Sequence, residues 1–194
     1  MIEMEPIKIF YCYAPKDKGL RDELETHLII LKRLKQITLR LNRELLAGSD
    51  WQHVQDARFQ MADLILLLLS PDFIASDYHY GIEMHHVLEK HEAGNVWVIP
   101  ILLRPTALWQ KTPIGKLQVL PKDGKSITEC TYRDAAFVDI IKEISDVVAT
   151  LLTKKQELSH LIKTGNESFS RFTNLRLDYL RQKAPNLAEG GRIE

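Results

Sequence analysis

Apolar residues form two kinds of segment that alternate along the chain. Some segments are short and apolar at nearly every position, such as Leu64 to Leu69, which stops at Ser70-Pro71. A run that is apolar on both faces is typical of a central strand in a parallel sheet covered by helices on each side. Strands are predicted over residues 7–13, 36–41, 64–69 and 96–103, with a short edge strand over 126–130.

Helices are predicted where apolar residues recur every three or four positions. The clearest cases are the leucines between residues 20 and 34 and the apolar stripe over 137–152. A third helix begins after Ser49 or Asp50, and a fourth runs from about residue 76 to Gly94. Residues 104–125 are predicted to be mostly loop, with a helical turn near 114–119.

Strands that alternate with helices in this way form a doubly wound parallel sheet. Such sheets bind ligands beyond the carboxyl ends of their strands, at the point where the strand order reverses. The loops that follow Tyr13, Leu41 and Leu69 are therefore the candidate binding loops.

The chain has 194 residues, 45% of them hydrophobic and 27% charged, which fits one α/β domain with a short appendage. The domain is predicted over residues 1–153. Residues 154–194 are rich in Lys, Glu, Gln and Ser and are predicted to be a C-terminal helical extension or linker. Their apolar positions, expected to dock on the domain or on a partner, are Leu158, Leu161, Ile162, Phe169, Phe172, Tyr179 and Leu180.

Charge and hydropathy exclude several classes of partner. Lys plus Arg (26) balance Asp plus Glu (26), so direct binding to nucleic acid is not expected. No apolar run approaches the roughly 20 residues that span a bilayer, and the acidic start does not resemble a signal peptide. The sequence therefore predicts a cytoplasmic protein without a membrane segment, in which Cys12 and Cys130 are reduced thiols.

Familiar cofactor and metal motifs are incomplete. Gly124-Lys125-Ser126 resembles the end of a phosphate-binding P-loop, but Val119 stands where that motif needs glycine. No G-x-G-x-x-G opens the first helix, so a dinucleotide cofactor fingerprint is absent. The histidines at 79, 85, 86 and 91 lack acidic or thiolate partners at zinc-ligand spacing. We therefore predict no metal and no bound cofactor.

Four segments in order carry a family resemblance, and they cover about residues 7–153. They are Phe10-Tyr-Cys-Tyr13 followed by Asp17, the loop Leu41 to Trp51, the strand Ala62 to Pro71, and the helix start Ser76 to Glu83. Together they resemble the boxes of Toll/interleukin-1 receptor (TIR) domains. The resemblance implies a flavodoxin-like, five-stranded parallel sheet in the order 2-1-3-4-5.

Many TIR domains cleave NAD+, and the resemblance implies the same activity here. The products would be nicotinamide and either ADP-ribose or a cyclic isomer, with NAD+ as the substrate. Self-association, in some cases into filaments, would activate the enzyme, and the bacterial setting would be defence against phage. The alternative is a non-catalytic TIR module that assembles signalling complexes. A receiver or flavin protein is a weaker reading, because Asp17 stands alone where a receiver has an acidic cluster for Mg²⁺.

The resemblance assigns the catalytic glutamate to Glu83. Cleaving the nicotinamide–ribose bond builds positive charge on the ribose and releases a neutral group, so the reaction needs a carboxylate near the sugar and no acid. Glu83 alternatively fits an ordinary first-turn acid that interacts with the helix dipole. The substrate-binding residues that the resemblance implies are Tyr13, Ala14, Pro15, Gly48, Trp51, Ser76 and His79. Trp51 also fits a core anchor, Ser76 also fits a helix cap, and His79 stands where the family pattern has tryptophan.

Overall fold

The structure, a computed structural model, describes residues 5–40, 61–76 and 84–164. The strands are β1 (Ile7–Cys12), β2 (Ile37–Arg40), β3 (Leu64–Leu69) and β4 (Trp97–Leu102). The α-helices are α1 (Lys18–Arg33), α2 (Pro71–Ile74), α3 (Met84–Glu92) and α4 (Arg133–Thr164). Short 3-10 helices cover Pro15–Asp17, Trp109–Lys111, Pro113–Lys116 and Ile127–Glu129.

Several predictions lie outside these described residues. They are the helix after Ser49 or Asp50, the tail beyond residue 164, and the candidate site residues Gly48, Trp51, His79 and Glu83. Within the described residues, no helix is long and apolar enough to cross a membrane.

The four strands are parallel and lie in the order β2-β1-β3-β4. The chain passes from β1 to β2 on one side and then returns to β3 on the other side of β1. The strand order therefore reverses between β1 and β3, and a crevice for a ligand is expected beyond their carboxyl ends. This confirms the parallel α/β architecture and the first four positions of the predicted strand order.

The fifth strand predicted over residues 126–130 is wrong. Ile127–Glu129 forms a 3-10 helix, because the Ser126 and Glu129 side chains cap it reciprocally. The outer edge of β4 is instead met at one residue: the Leu120 N–H donates to Pro100 O at 2.8 Å, and Leu102 N–H donates to Leu120 O at 2.8 Å. Pro100 has no N–H to extend a ladder on this edge. The described residues thus form four strands, not five.

The sheet separates two apolar layers, as a doubly wound fold requires. The side chains of Leu64, Leu66 and Leu68 pack with α1 and α4, whereas Ile65, Leu67 and Leu69 pack with α2, α3 and the loop after β4. All six are 0–1% exposed, which confirms β3 as a central strand. Alternate residues of one strand therefore anchor helices on opposite faces of the sheet.

Helix α4 is continuous from Arg133 to Thr164, so the predicted boundary after residue 153 falls inside it. Lys155 Nζ donates to Asp63 Oδ2 at 2.8 Å and lies 3.7 Å from Glu5 Oε2, at the amino-terminal edge of the sheet. These ion pairs tie α4 to the sheet beyond residue 153.

Candidate functional site

The carboxyl ends of β1 and β3 carry four of the predicted site residues, in two neighbouring loops. Tyr13, Ala14 and Pro15 follow β1 directly, and Ser76 follows α2. Tyr13 and Ser76 are half-buried and Pro15 is exposed, whereas Ala14 is only 2% exposed and packs in the core layer below the edge. The side chains available at this surface are therefore those of Tyr13, Pro15 and Ser76.

The loop after β3 turns sharply because a serine and a proline begin α2. Ser70 Oγ accepts a hydrogen bond from the Phe73 N–H at 3.0 Å, and Pro71 occupies the first helical position. Phe73 is fully buried and holds this turn against the core. Ser76 lies just past the end of α2, where its N–H donates to Phe73 O at 3.3 Å.

A chain of charged side chains joins the loops at this edge. Asp17 is 1% exposed, and its Oδ2 accepts from Ser70 Oγ at 2.5 Å while its Oδ1 accepts from Arg104 Nε at 2.8 Å. Arg104 Nη2 also donates to Asp72 Oδ2, and Asp72 Oδ1 accepts from Lys16 Nζ at 2.6 Å. We call this set, Lys16, Asp17, Ser70, Asp72 and Arg104, the edge network. It links the ends of three adjacent strands.

Hydrogen bonds within the edge network favour the charged forms of Asp72 and Arg104. Hydrogen bonds from Arg104 and then Lys16 lower the pKa of Asp72. The hydrogen bond to Asp72 raises the pKa of Arg104 in return. Asp72 and Arg104 are therefore both charged at neutral pH.

A third cation, Arg21 of α1, lies against the Tyr13 ring. The guanidinium carbon of Arg21 is 5.0 Å from the centre of the Tyr13 ring, and Arg21 also pairs with Asp22 and Glu25. A guanidinium over a tyrosine face is attractive and restricts the ring. Tyr13 is thus held by a contact with α1 and is half-buried.

Helix α3 leads from the carboxyl edge toward the start of β4. Its last turn lies near the amino-terminal end of β4, where His91 Nδ1 donates to Val96 O at 3.2 Å. Its first residue, Met84, is 3% exposed and packs in the same core layer as Cys12, Leu69 and Phe73. Glu83 is the residue that immediately precedes Met84 in the chain.

The helix histidines in the described residues are not arranged around a metal. His91 is buried against Trp97 and hydrogen-bonded, and His85 and His86 are exposed, with His85 Nε2 3.8 Å from Glu89 Oε1. Over residues 5–40, 61–76 and 84–164, no three His, Cys, Asp or Glu side chains are grouped to hold a metal ion.

A sequence model of the TIR domain family matches residues 9–135, more than half of the chain. The chain belongs to the TIR domain family. This confirms the resemblance drawn from the four sequence segments.

Two proteins illustrate what this TIR domain is similar to. The uncharacterized protein y4lF of Sinorhizobium fredii is 44% identical over 138 residues, which are 71% of this chain and 42% of that protein. The chain thus spans less than half the length of this relative. The crystal structure of the TIR domain of the Toll-related receptor TRR-2 from Hydra magnipapillata matches 71% of this chain and 97% of that one, with a TM-score of 0.49 and 20% identity.

Sequence reasoning did not assign a role to Ser70, Asp72 or Arg104. Arg104 is separated from Asp17 by 87 positions, so no local pattern connects them. One signal was available: Ser70 and Arg104 each directly follow a strongly apolar run, and Asp72 comes two positions after Ser70, at the edge where ligands bind.

Proposed function

We propose that this TIR domain is an NAD+ nucleosidase that cleaves the bond between nicotinamide and ribose. The observation that carries the proposal is the meeting of two loops at the point where the strand order reverses. The loop that bears Tyr13 and the turn that leads to Ser76 are joined there by the Asp17–Ser70 hydrogen bond. Family membership and the match of Glu83 to the family's catalytic glutamate support the same assignment.

The proposed chemistry requires one free carboxylate. As the nicotinamide–ribose bond lengthens, nicotinamide takes the bonding electron pair and leaves as a neutral molecule, while positive charge develops on the ribose. The Glu83 carboxylate stabilises that charge. Water then attacks the ribose carbon and gives ADP-ribose, releasing one proton; attack by the adenine ring gives the cyclic isomer instead.

The test is incubation of the purified chain with NAD+, followed by chromatographic separation of nicotinamide and the nucleotide products. Glu83→Gln removes the charge and keeps the size of the side chain, so it should abolish turnover while the free energy of unfolding changes by less than about 1 kcal/mol. The matched control is Glu92→Gln, which alters an exposed glutamate at the far end of α3 and should leave turnover unchanged.

A second control separates chemistry from folding. Leu67→Ala removes a side chain that is 1% exposed in the central strand and should cost about 2–5 kcal/mol, so that turnover and folding fall together. Turnover by Glu83→Gln at the wild-type rate would remove Glu83 from the mechanism.

Self-association is the second part of the proposal. Head-to-tail contacts between copies extend into open filaments, so activity per molecule should rise with protein concentration. Initial rates measured from nanomolar to micromolar protein test this, and full activity in a monomer would exclude it. If the wild-type chain cleaves no NAD+ at any concentration, the non-catalytic signalling module is the better assignment.

The proposed cellular setting is phage defence, in which NAD+ is consumed during infection. It predicts a fall in cellular NAD+ after infection of a host that carries the wild-type chain. A host that carries Glu83→Gln should keep its NAD+.

A further inference from the structure

Arg104 spans the end of the central strand. It follows β4, yet its Nε reaches Asp17 after β1 at 2.8 Å, and its Nη2 reaches Asp72 after β3. Adjacent strands lie about 4.8 Å apart, so β1 and β4 are separated by roughly twice that distance. One extended side chain therefore connects the loops that follow β1, β3 and β4.

The contact to Asp17 is also the one that neutralises a buried charge. The Asp17 side chain is 1% exposed, whereas that of Arg104 is 31% exposed. An ionised carboxylate at this depth is costly unless it is paired and hydrogen-bonded. Ser70 supplies a hydrogen bond and Arg104 supplies the opposite charge.

We propose that Arg104 is a positioning residue that sets the width of the crevice between the loop bearing Tyr13 and Pro15 and the turn leading to Ser76. Its catalytic consequence rests on the proposed function, whereas its effect on the two loops does not. Arg104 makes its hydrogen bonds to these two loops and none to α3, which Glu83 precedes in the sequence. It therefore acts on substrate binding more than on the bond-breaking step.

The planar guanidinium is essential to this role. Nε and Nη2 donate in fixed directions from one rigid plane, to carboxylates on different loops. A lysine at 104 keeps the charge but presents a single ammonium on a flexible stem. Arg104→Lys therefore separates charge from geometry, and Arg104→Gln removes the charge.

The first experiment needs no NAD+. Amide hydrogen exchange is measured at Asp17, whose N–H donates to Ala14 O at 2.8 Å, and at Phe73, whose N–H donates to Ser70 Oγ at 3.0 Å. Both Arg104→Lys and Arg104→Gln should speed exchange at these two amides by at least about tenfold, the size expected from losing one hydrogen bond to a charged group. Amides of β3 should exchange as in the wild type.

Arg133→Lys is the matched control, because Arg133 pairs with Glu23 at 3.3 Å on the surface and is 48% exposed. It should leave the exchange rates of the Asp17 and Phe73 amides as they are in the wild type. If Arg104→Gln does not fold, Asp72→Asn replaces it. This variant weakens the contact between Arg104 and residue 72 and leaves the buried contact between Arg104 and Asp17. It should therefore speed exchange at Phe73 alone. Wild-type exchange at Asp17 and Phe73 in Arg104→Lys would overturn the proposal.

The second experiment measures NAD+ turnover in the same variants. Arg104→Lys should raise KM about tenfold and change kcat less than about threefold. The Arg104→Lys and Arg104→Gln variants should have similar KM values, although Arg104→Lys should be the more stable protein. A purely electrostatic role instead predicts wild-type KM in Arg104→Lys, and that result would also overturn the proposal. If the wild-type chain does not cleave NAD+, the proposed function fails while the exchange result still decides the role of Arg104 in the loops.

Discussion

Replacing Gly115 by alanine should destabilise the fold, although the change adds a single methyl group. Gly115 lies in the 3-10 helix Pro113–Lys116, directly after the 3-10 helix that begins at Trp109. A Cβ at this position would lie 2.1 Å from the carbonyl oxygen of Gln110 and 2.6 Å from its carbonyl carbon. Because these are backbone atoms, no side-chain rotation relieves the clash, and the loop itself must move.

The loop cannot move without disturbing the core. Trp109 and Ile114 flank the clash, are 8% and 0% exposed, and pack in the layer that includes Phe73 and Met84. Overpacking a well-packed interior typically costs about 1–3 kcal/mol. We therefore expect Gly115→Ala to lower the free energy of unfolding by an amount in that range.

Gly19→Ala is the matched control, since the chemical change is identical. Gly19 lies in the first turn of α1, and an added Cβ there meets no atom within 4 Å. Alanine is favoured over glycine in a helix by roughly 0.5–1 kcal/mol, so this variant should be more stable than the wild type. Urea unfolding followed by circular dichroism measures both changes. Gly115→Ala with wild-type stability would show that the packing argument is wrong.

Two further predictions concern buried and ionised groups. The Tyr11 hydroxyl is buried without a hydrogen-bond partner among the described residues, and burial raises its pKa. Tyr11→Phe should therefore leave the free energy of unfolding unchanged or raise it by up to about 1 kcal/mol. A clear loss of stability in urea unfolding would contradict this. Hydrogen bonds lower the pKa of Asp72 and of Glu129 from their ordinary values of 3.8 and 4.5. Both carboxylates therefore stabilise the fold at pH values above those ordinary values. This stabilisation is lost as the pH falls through the lowered pKa values. Urea midpoints should therefore drop in acid, and Asp72→Asn and Glu129→Gln should each make that drop shallower; equal steepness in all three proteins would contradict the assignment.

Elements with one clear hydrophobic period were predictable from the sequence. The leucines of α1 and the apolar run of β3 each fit a single structure, and both were predicted close to their observed bounds. The edge strand predicted over 126–130 is wrong because the segment has few apolar residues and a capping pattern that favours a helix. Ser126-Ile-Thr-Glu129 is a serine followed three positions later by glutamate, the arrangement that caps a helix and competes with strand pairing.

The candidate site was predictable at the level of loops and not of contacts. The rule that ligands bind beyond the carboxyl ends of parallel strands identified the loop after Tyr13 from the strand pattern alone. The edge network depends on which strands are neighbours, and that order is a property of the whole sheet. Arg104 and Asp17 become partners because β3 lies between β1 and β4.

The edge network also constrains which carboxylate performs the proposed chemistry. Asp17 and Asp72 are the carboxylates that the described residues bring to the reversal point, and Arg104 engages both. A carboxylate that is already paired with a guanidinium stabilises a developing ribosyl cation poorly, because its charge is balanced before the reaction begins. The carboxylate that acts on the ribose must therefore lie outside the network, as Glu83 does in the proposal. Asp72→Asn should then alter NAD+ affinity and leave bond cleavage measurable, whereas Glu83→Gln should leave none.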